Sequence, residues 1–168
     1  MNNIKINKQT GGFTLIETMV AVGVIMIGLV SALGAITTAL FYVSNIQDRL
    51  IAANLTAEGI EIIRNIRDNN WLQNLPWNNG LSGGDYQTAC ALPACGSISF
   101  SSYGGNPLLF DSGSGLYNYT SGSSTAYMRK LSITNLSNYE IRVVSTVTWQ
   151  RRSATYDISA EDHLFNWK

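Results

Sequence analysis

Between Glu17 and Asp48 the chain carries no charged side chain, and residues 18–43 are mostly Val, Ile, Leu, Met, Ala and Gly. This run restricts the fold more than any other feature of the sequence. A helix rises about 1.5 Å per residue, so about 20 apolar residues cross the hydrocarbon core of a bilayer, and the run exceeds that length. The preceding residues 1–12 are polar, with Lys5 and Lys8 and no acid, and the positive-inside tendency keeps them in the cytoplasm. The rest of the chain is then expected outside. Glu17 stands at the border of the apolar run. A carboxylate at the centre of a bilayer helix costs roughly 2.5–3.5 kcal/mol, so either a position near the interface or a partner charge has to offset it.

Three readings of this amino end compete. A secretory signal would be cut near Ala32-Leu33-Gly34, where small residues stand in suitable places, but its apolar region would be long and would contain Glu17. An uncut signal anchor explains length and orientation, yet gives no role to Glu17 or to Gly11-Gly12 at the polar border. The third reading rests on Gly12-Phe13-Thr14-Leu15-Ile16-Glu17 followed by a long apolar helix, which resembles the processing motif of type IV prepilins and secretion pseudopilins. The resemblance implies that a prepilin peptidase cuts between Gly12 and Phe13, that Phe13 is then N-methylated, and that Glu17 is retained for assembly. Cutting there gives Phe13 a cationic amine. In a stack of similar helices, Glu17 of one subunit can meet that amine on its neighbour. At about 4 Å the attraction is on the order of 4 kcal/mol at an effective dielectric of about 20, enough to offset burial and set axial register.

The helix is expected to continue past the membrane, because residues 43–70 contain no proline and only Gly59. Gly23, Gly28 and Gly34 lower intrinsic helix stability, and Gly34 is the expected flexible point. Two apolar stripes mark the outer half. Ile46, Leu50, Ala53, Ala57 and Ile60 share one face; Ile51, Leu55, Ile62 and Ile66 share roughly the opposite one. The first is expected to pack on a sheet and the second on neighbouring subunits, the alternative being that both are buried within the domain. Glu61 and Arg64, at i,i+3 spacing, suit an exposed pair. Asp68-Asn69-Asn70 and then Pro76 supply a stop.

Residues 71–125 are rich in Gly, Ser, Asn and aromatics, with short strand candidates at Tyr86 to Ala89, Ser97 to Phe100, Leu108 to Phe110 and Leu116 to Tyr119. In Tyr139 to Gln150, Ile141, Val143, Ser145, Val147 and Trp149 alternate with Arg142, Val144, Thr146, Thr148 and Gln150. That period of two suits a half-buried strand. Arg129 to Thr134 and Ala154 to Ser159 are expected on either side of it, with Arg151-Arg152-Ser153 as a turn. The expected fold class is α+β, a long amino-terminal helix on a small antiparallel sheet, which also resembles the pilin architecture. The expected organisation is a leader at 1–12, a transmembrane and assembly half-helix at 13–43, an extracytoplasmic half-helix at 44–70 and a loop-rich, sheet-containing head at 71–168.

Cys90 and Cys95 are too far apart for a redox Cys-x-x-Cys pair and lack the further ligands of a zinc site, so a small-loop disulfide in an oxidising compartment is expected. Major pilins often staple a loop near the carboxy terminus instead, and the closest resemblance is to minor pilins of the type IV pilus modification type. The 11 basic and 11 acidic residues form no run suited to nucleic acid. Loss of residues 1–12 removes Lys5 and Lys8 and leaves a slightly acidic chain. His163 has no nucleophile motif beside it, and Asp111-Ser112-Gly113-Ser114-Gly115 lacks the carboxylates of a calcium loop. No catalytic residue, cofactor or metal is expected. Trp71, Trp77, Tyr103, Phe110, Tyr117 and Tyr119 are read as core rather than as a sugar- or protein-binding surface. The partners implied are the prepilin peptidase, other pilin or pseudopilin subunits, an inner-membrane assembly platform and the lipid bilayer. A type II secretion pseudopilin shares every amino-terminal feature, and a signal-anchored extracytoplasmic binding protein is the alternative from another class.

Overall fold

The computed structural model describes residues 11–88 and 100–167. Cys90, Cys95, Lys5, Lys8 and most of the strand expected at Ser97 to Phe100 lie outside the described residues. The chain divides into two compact units, Met1–Asn45 and Ile46–Lys168. Helix α1, Leu15–Leu72, contributes to both.

In the first unit the helix is bare. From residue 18 to residue 43 only Gly23 and Phe41 are other than exposed. The helix is unbroken at Gly34. The Thr37 and Thr38 hydroxyls each donate to the Gly34 carbonyl at 2.9 Å, a back-bonding pattern that loosens helices rather than stiffening them.

The second unit is a sheet-and-helix layer. Strands β1 (Gly84–Thr88), β2 (Phe100–Ser102), β6 (Tyr127–Ser137), β7 (Glu140–Arg151) and β8 (Ala154–Phe165) form one antiparallel sheet in the order β2-β1-β6-β7-β8. Strands β3 (Leu109–Asp111), β4 (Leu116–Asn118) and β5 (Ser123–Ser124) form a second sheet in the order β4-β3-β5. The alternation expected in β7 is observed: Ile141, Val143, Ser145, Val147 and Trp149 are all buried while their neighbours are half-exposed. The flanking strands are longer than the sequence suggested, and the β7–β8 turn falls at Arg152, whose φ of 54° is left-handed.

Except at Ile60, the stripe of α1 that covers the sheet is the reverse of the one expected. Ala52, Leu55, Thr56, Gly59, Ile60, Ile62, Ile63 and Ile66 are buried, whereas Ile46, Leu50, Ala53 and Ala57 are exposed. The charge pattern explains this. Continued along the helix, the Leu50 stripe reaches Arg64 and Asp68, whereas the Leu55 stripe stays free of charge to Asn70, so only the latter can be buried throughout. The core gathers Ile62, Ile63 and Ile66 over Leu131, Ile133, Ile141, Val143 and Leu164, and separately Ala52 and Leu55 over Leu108, Tyr127, Val147 and Trp149. The aromatic reading holds in part: Trp77 is buried, Trp71, Tyr117 and Tyr119 pack against the core, and Phe110 is partly exposed.

Charged pairs pin the layer. Buried Arg129 donates to Glu58 at 2.7 Å, and Asp48 accepts from Arg151 and, at 3.1 Å, from the Tyr127 hydroxyl. Arg64 meets Glu61 as expected, at 3.4 Å, and Asp162 more closely, at 3.0 Å.

The helix runs past Asn70 because the stop is made by Asn74. Leu75 N–H donates to the Asn70 carbonyl at 2.9 Å and Asn74 N–H to that of Trp71 at 3.2 Å, with Asn74 at φ 55°. This is a Schellman closure with asparagine in the left-handed position, followed by Pro76. Asn70 has another task. Its buried side-chain amide donates to the carbonyls of Trp77 at 3.1 Å and Asn79 at 2.8 Å. Asn70→Ala is expected to destabilise the second unit by about 1–3 kcal/mol by removing both bonds, readable in thermal unfolding followed by circular dichroism.

Candidate processing and assembly site

Gly11, Gly12, Phe13 and Thr14 precede α1 and are exposed. An ideal Cβ placed on Gly12 would have no neighbour within 4 Å. Among the described residues nothing covers this position.

Thr14 starts the helix. Glu17 N–H donates to the Thr14 hydroxyl at 3.3 Å and to its carbonyl at 3.1 Å, and the Thr18 amide donates to that carbonyl at 3.2 Å. Thr14-Leu15-Ile16-Glu17 is thus a Thr-x-x-Glu sequence at a helix start, the pattern of a capping box. That signal was readable in the sequence. An acid in the first turn is also favoured by the unpaired N–H groups and the helix dipole there. Glu17 is exposed and near the start of the apolar run, so part of its cost is offset within its own chain.

Among the described residues, no group of three or more His, Cys, Asp or Glu side chains is placed to hold a metal ion. Asp111 is occupied with its own turn, accepting from Gly113 N–H and the Ser114 hydroxyl, each at 2.9 Å. The exposed stretch that begins at Gly12 and enters α1 is where sequence pattern and geometry coincide.

Residues 7–33 match the prokaryotic N-terminal methylation motif. The chain carries a type IV pilin-like prepilin signal. The match spans Gly12, Phe13 and Glu17 and runs well into the bare part of α1. No curated protein and no solved structure gives a significant match. Prepilins with this signal are structural subunits of the pilin and pseudopilin type, which prepilin peptidase processes and which assemble with other pilin subunits. The long apolar helix is consistent with a single-pass membrane anchor. The α+β arrangement of the second unit has the pilin-like layout.

Proposed function

We propose that the chain is a minor pilin-like subunit of a type IV pilus, cut between Gly12 and Phe13, N-methylated at Phe13 and drawn into a filament by its apolar helix. The observation that carries this is the methylation motif with Gly12 and Phe13 exposed just ahead of a helix whose apolar side chains over residues 15–40 are exposed among the described residues. Residues 1–12 serve as leader and 13–43 as the membrane and assembly half of the helix. The remainder forms the extracytoplasmic head, placed outside by the basic leader. After cleavage the Phe13 amine of one subunit pairs with Glu17 of the next, while Ile46, Leu50, Ala53 and Ala57 continue the exposed apolar face beyond the membrane. A type II secretion pseudopilin uses the same parts, and the two systems separate by the components that copurify with the filament.

Mass spectrometry of the mature amino terminus tests the processing. A terminus at methylated Phe13 is expected; an intact Met1 would leave a signal anchor, and a terminus near Ala35 would mean an ordinary secreted domain. Glu17→Ala tests the assembly contact. The variant is expected to insert and be cut, and its incorporation into sheared filaments, read by immunoblot, is expected to fall by about tenfold or more; each tenfold needs only about 1.4 kcal/mol. Incorporation at the wild-type level would remove Glu17 from the mechanism.

A further inference from the structure

The end of β8 is held against β7 by an arrangement that only a charged histidine satisfies. His163 Nδ1 lies 2.6 Å from Glu140 Oε1, and its Nε2 lies 3.2 Å from Glu161 Oε1. A neutral imidazole has one N–H, and an ionised carboxylate has none, so two ring-to-carboxylate hydrogen bonds require the imidazolium. The charged groups facing the ring are Glu140 and Arg142 from β7 and Glu161 from its own strand. Arg142 sits opposite His163 in the strand register and is itself engaged by Glu161 at 2.6 Å. Four charges thus alternate in sign across the two strands.

The ladder positions the segment on the carboxy-terminal side of His163. Phe165 pairs with Glu140 in the register and its ring stacks on His163, and Asn166 N–H donates to the Tyr139 carbonyl at 2.9 Å. Trp167 then meets Trp71 edge to face at 4.5 Å, beside the Arg67 guanidinium, which lies 4.8 Å from the Trp71 ring centre. Tyr139 and Trp167 are each more than two-thirds exposed, whereas Leu164, between His163 and Phe165, is buried in the core, so these contacts govern the segment beyond Leu164.

We infer that His163 is a pH-sensitive clasp: as the imidazolium it ties Glu140 to Glu161 and thereby holds the carboxy-terminal segment, with Trp167, on the end of α1. Loss of the proton leaves one carboxylate facing a ring lone pair, and the end of β8 loosens. The hydrogen bonds with Glu140 first, and then Glu161, raise the His163 pKa above its ordinary 6.5. Stability from a raised pKa is complete below the unfolded value and fades as pH rises through the folded one. Arg142 first, and His163 second, hold the Glu161 carboxyl down at about 2, so its share is present above about 4.5 and is lost as pH falls toward 2. Both contributions coexist in mildly acidic to neutral solution. In the extracytoplasmic placement proposed above, the head meets external pH directly; the clasp itself does not depend on that placement.

His163 is the chain's single histidine, so its resonances need no assignment by mutation. The full chain in detergent micelles, without a histidine tag, is titrated from about pH 5 to about pH 9, a range that brackets the ordinary histidine value. Imidazole nitrogen chemical shifts are read beside the tryptophan near-ultraviolet circular dichroism, with Trp167→Phe identifying the Trp167 contribution. His163 is expected to titrate above 6.5, with the Trp167 signal tracking the same midpoint. Glu140→Gln and Glu161→Gln are each expected to lower that midpoint, and His163→Gln to leave the Trp167 signal flat. A midpoint at or below 6.5 overturns the clasp, and so does a raised midpoint that the Trp167 signal ignores.

Discussion

A chain with valine in place of Gly12 is expected to insert in the membrane, fold its head and stay uncut. A Cβ at Gly12 meets nothing within 4 Å among the described residues, so a clash within the subunit is not the expected cause of a loss of processing. The effect would arise in the peptidase, where a Cβ and its branches block the close approach to backbone that glycine allows. Gly11→Ala is the control, because position 11 is equally open in the structure and lies one residue from the proposed cut. It is expected to be processed. Immunoblots of membranes and mass spectrometry of the intact chain would show residues 1–12 retained in Gly12→Val and removed in Gly11→Ala. The uncut chain lacks the Phe13 amine, so it should also fail to enter filaments while keeping Glu17. Glu17→Ala should reach the same end by the opposite route, being cut yet not incorporated. Ordinary cleavage of Gly12→Val would remove the peptidase step proposed at that bond.

The part of this protein most legible in its sequence is the part that makes the fewest contacts. An uncharged run from Thr18 to Gln47 declares a membrane-length helix by composition alone, and the glycine, phenylalanine and glutamate ahead of it form a local pattern that needs no folded partner. Strand β7 was legible for a similar reason: its alternating residues report one buried face without reference to the neighbours that cover it. The face of α1 was not so simple. Two stripes of comparable apolarity compete over Ile46 to Ile66, and the choice depends on whether a stripe stays uncharged for its full length and how closely backbones approach. Arg64 and Asp68 decide the first point and were open to inspection. Gly59 decides the second and reads only as a weak helix former until the sheet is seen opposite it. The helix stop misled in the same way. Asn70 has the composition of a terminator but spends its amide on the loop carbonyls of Trp77 and Asn79, while Asn74 takes the left-handed turn. The tie between His163 and Glu140 joins residues far apart in the chain and required the β7–β8 register.

Gly59 carries the largest stability effect expected in the head. A Cβ there would lie 2.3 Å from Ser145 Oγ, 2.8 Å from Leu131 Cδ2 and 3.1 Å from Ser145 Cβ. All three atoms belong to buried side chains of β6 and β7, with one cluster of the core on each side of the contact. Helix propensity alone would favour alanine over glycine by about 1 kcal/mol, so the sign of Gly59→Ala measures whether helix and sheet truly touch at this point. Destabilisation of about 1–2 kcal/mol is expected for alanine, and about 3 kcal/mol for Gly59→Val, since added methyl groups in a filled core displace neighbours or force strained rotamers. Ser145 makes the test sharper. Its hydroxyl is buried and has no hydrogen-bond partner among the described residues, so Ser145→Ala by itself should be nearly neutral or slightly stabilising. Removing that oxygen also removes the nearest clash, while the Leu131 contact remains. Gly59→Ala with Ser145→Ala should therefore recover part of the loss, with a coupling of about 1 kcal/mol between the two sites. Thermal or denaturant unfolding of the two single variants and the double variant reads this directly. Strict additivity, or a stabilising Gly59→Ala, would mean that α1 stands further from β7 than the structure places it, and the buried stripe through Leu55 and Ile62 would lose its closest point of contact with the sheet.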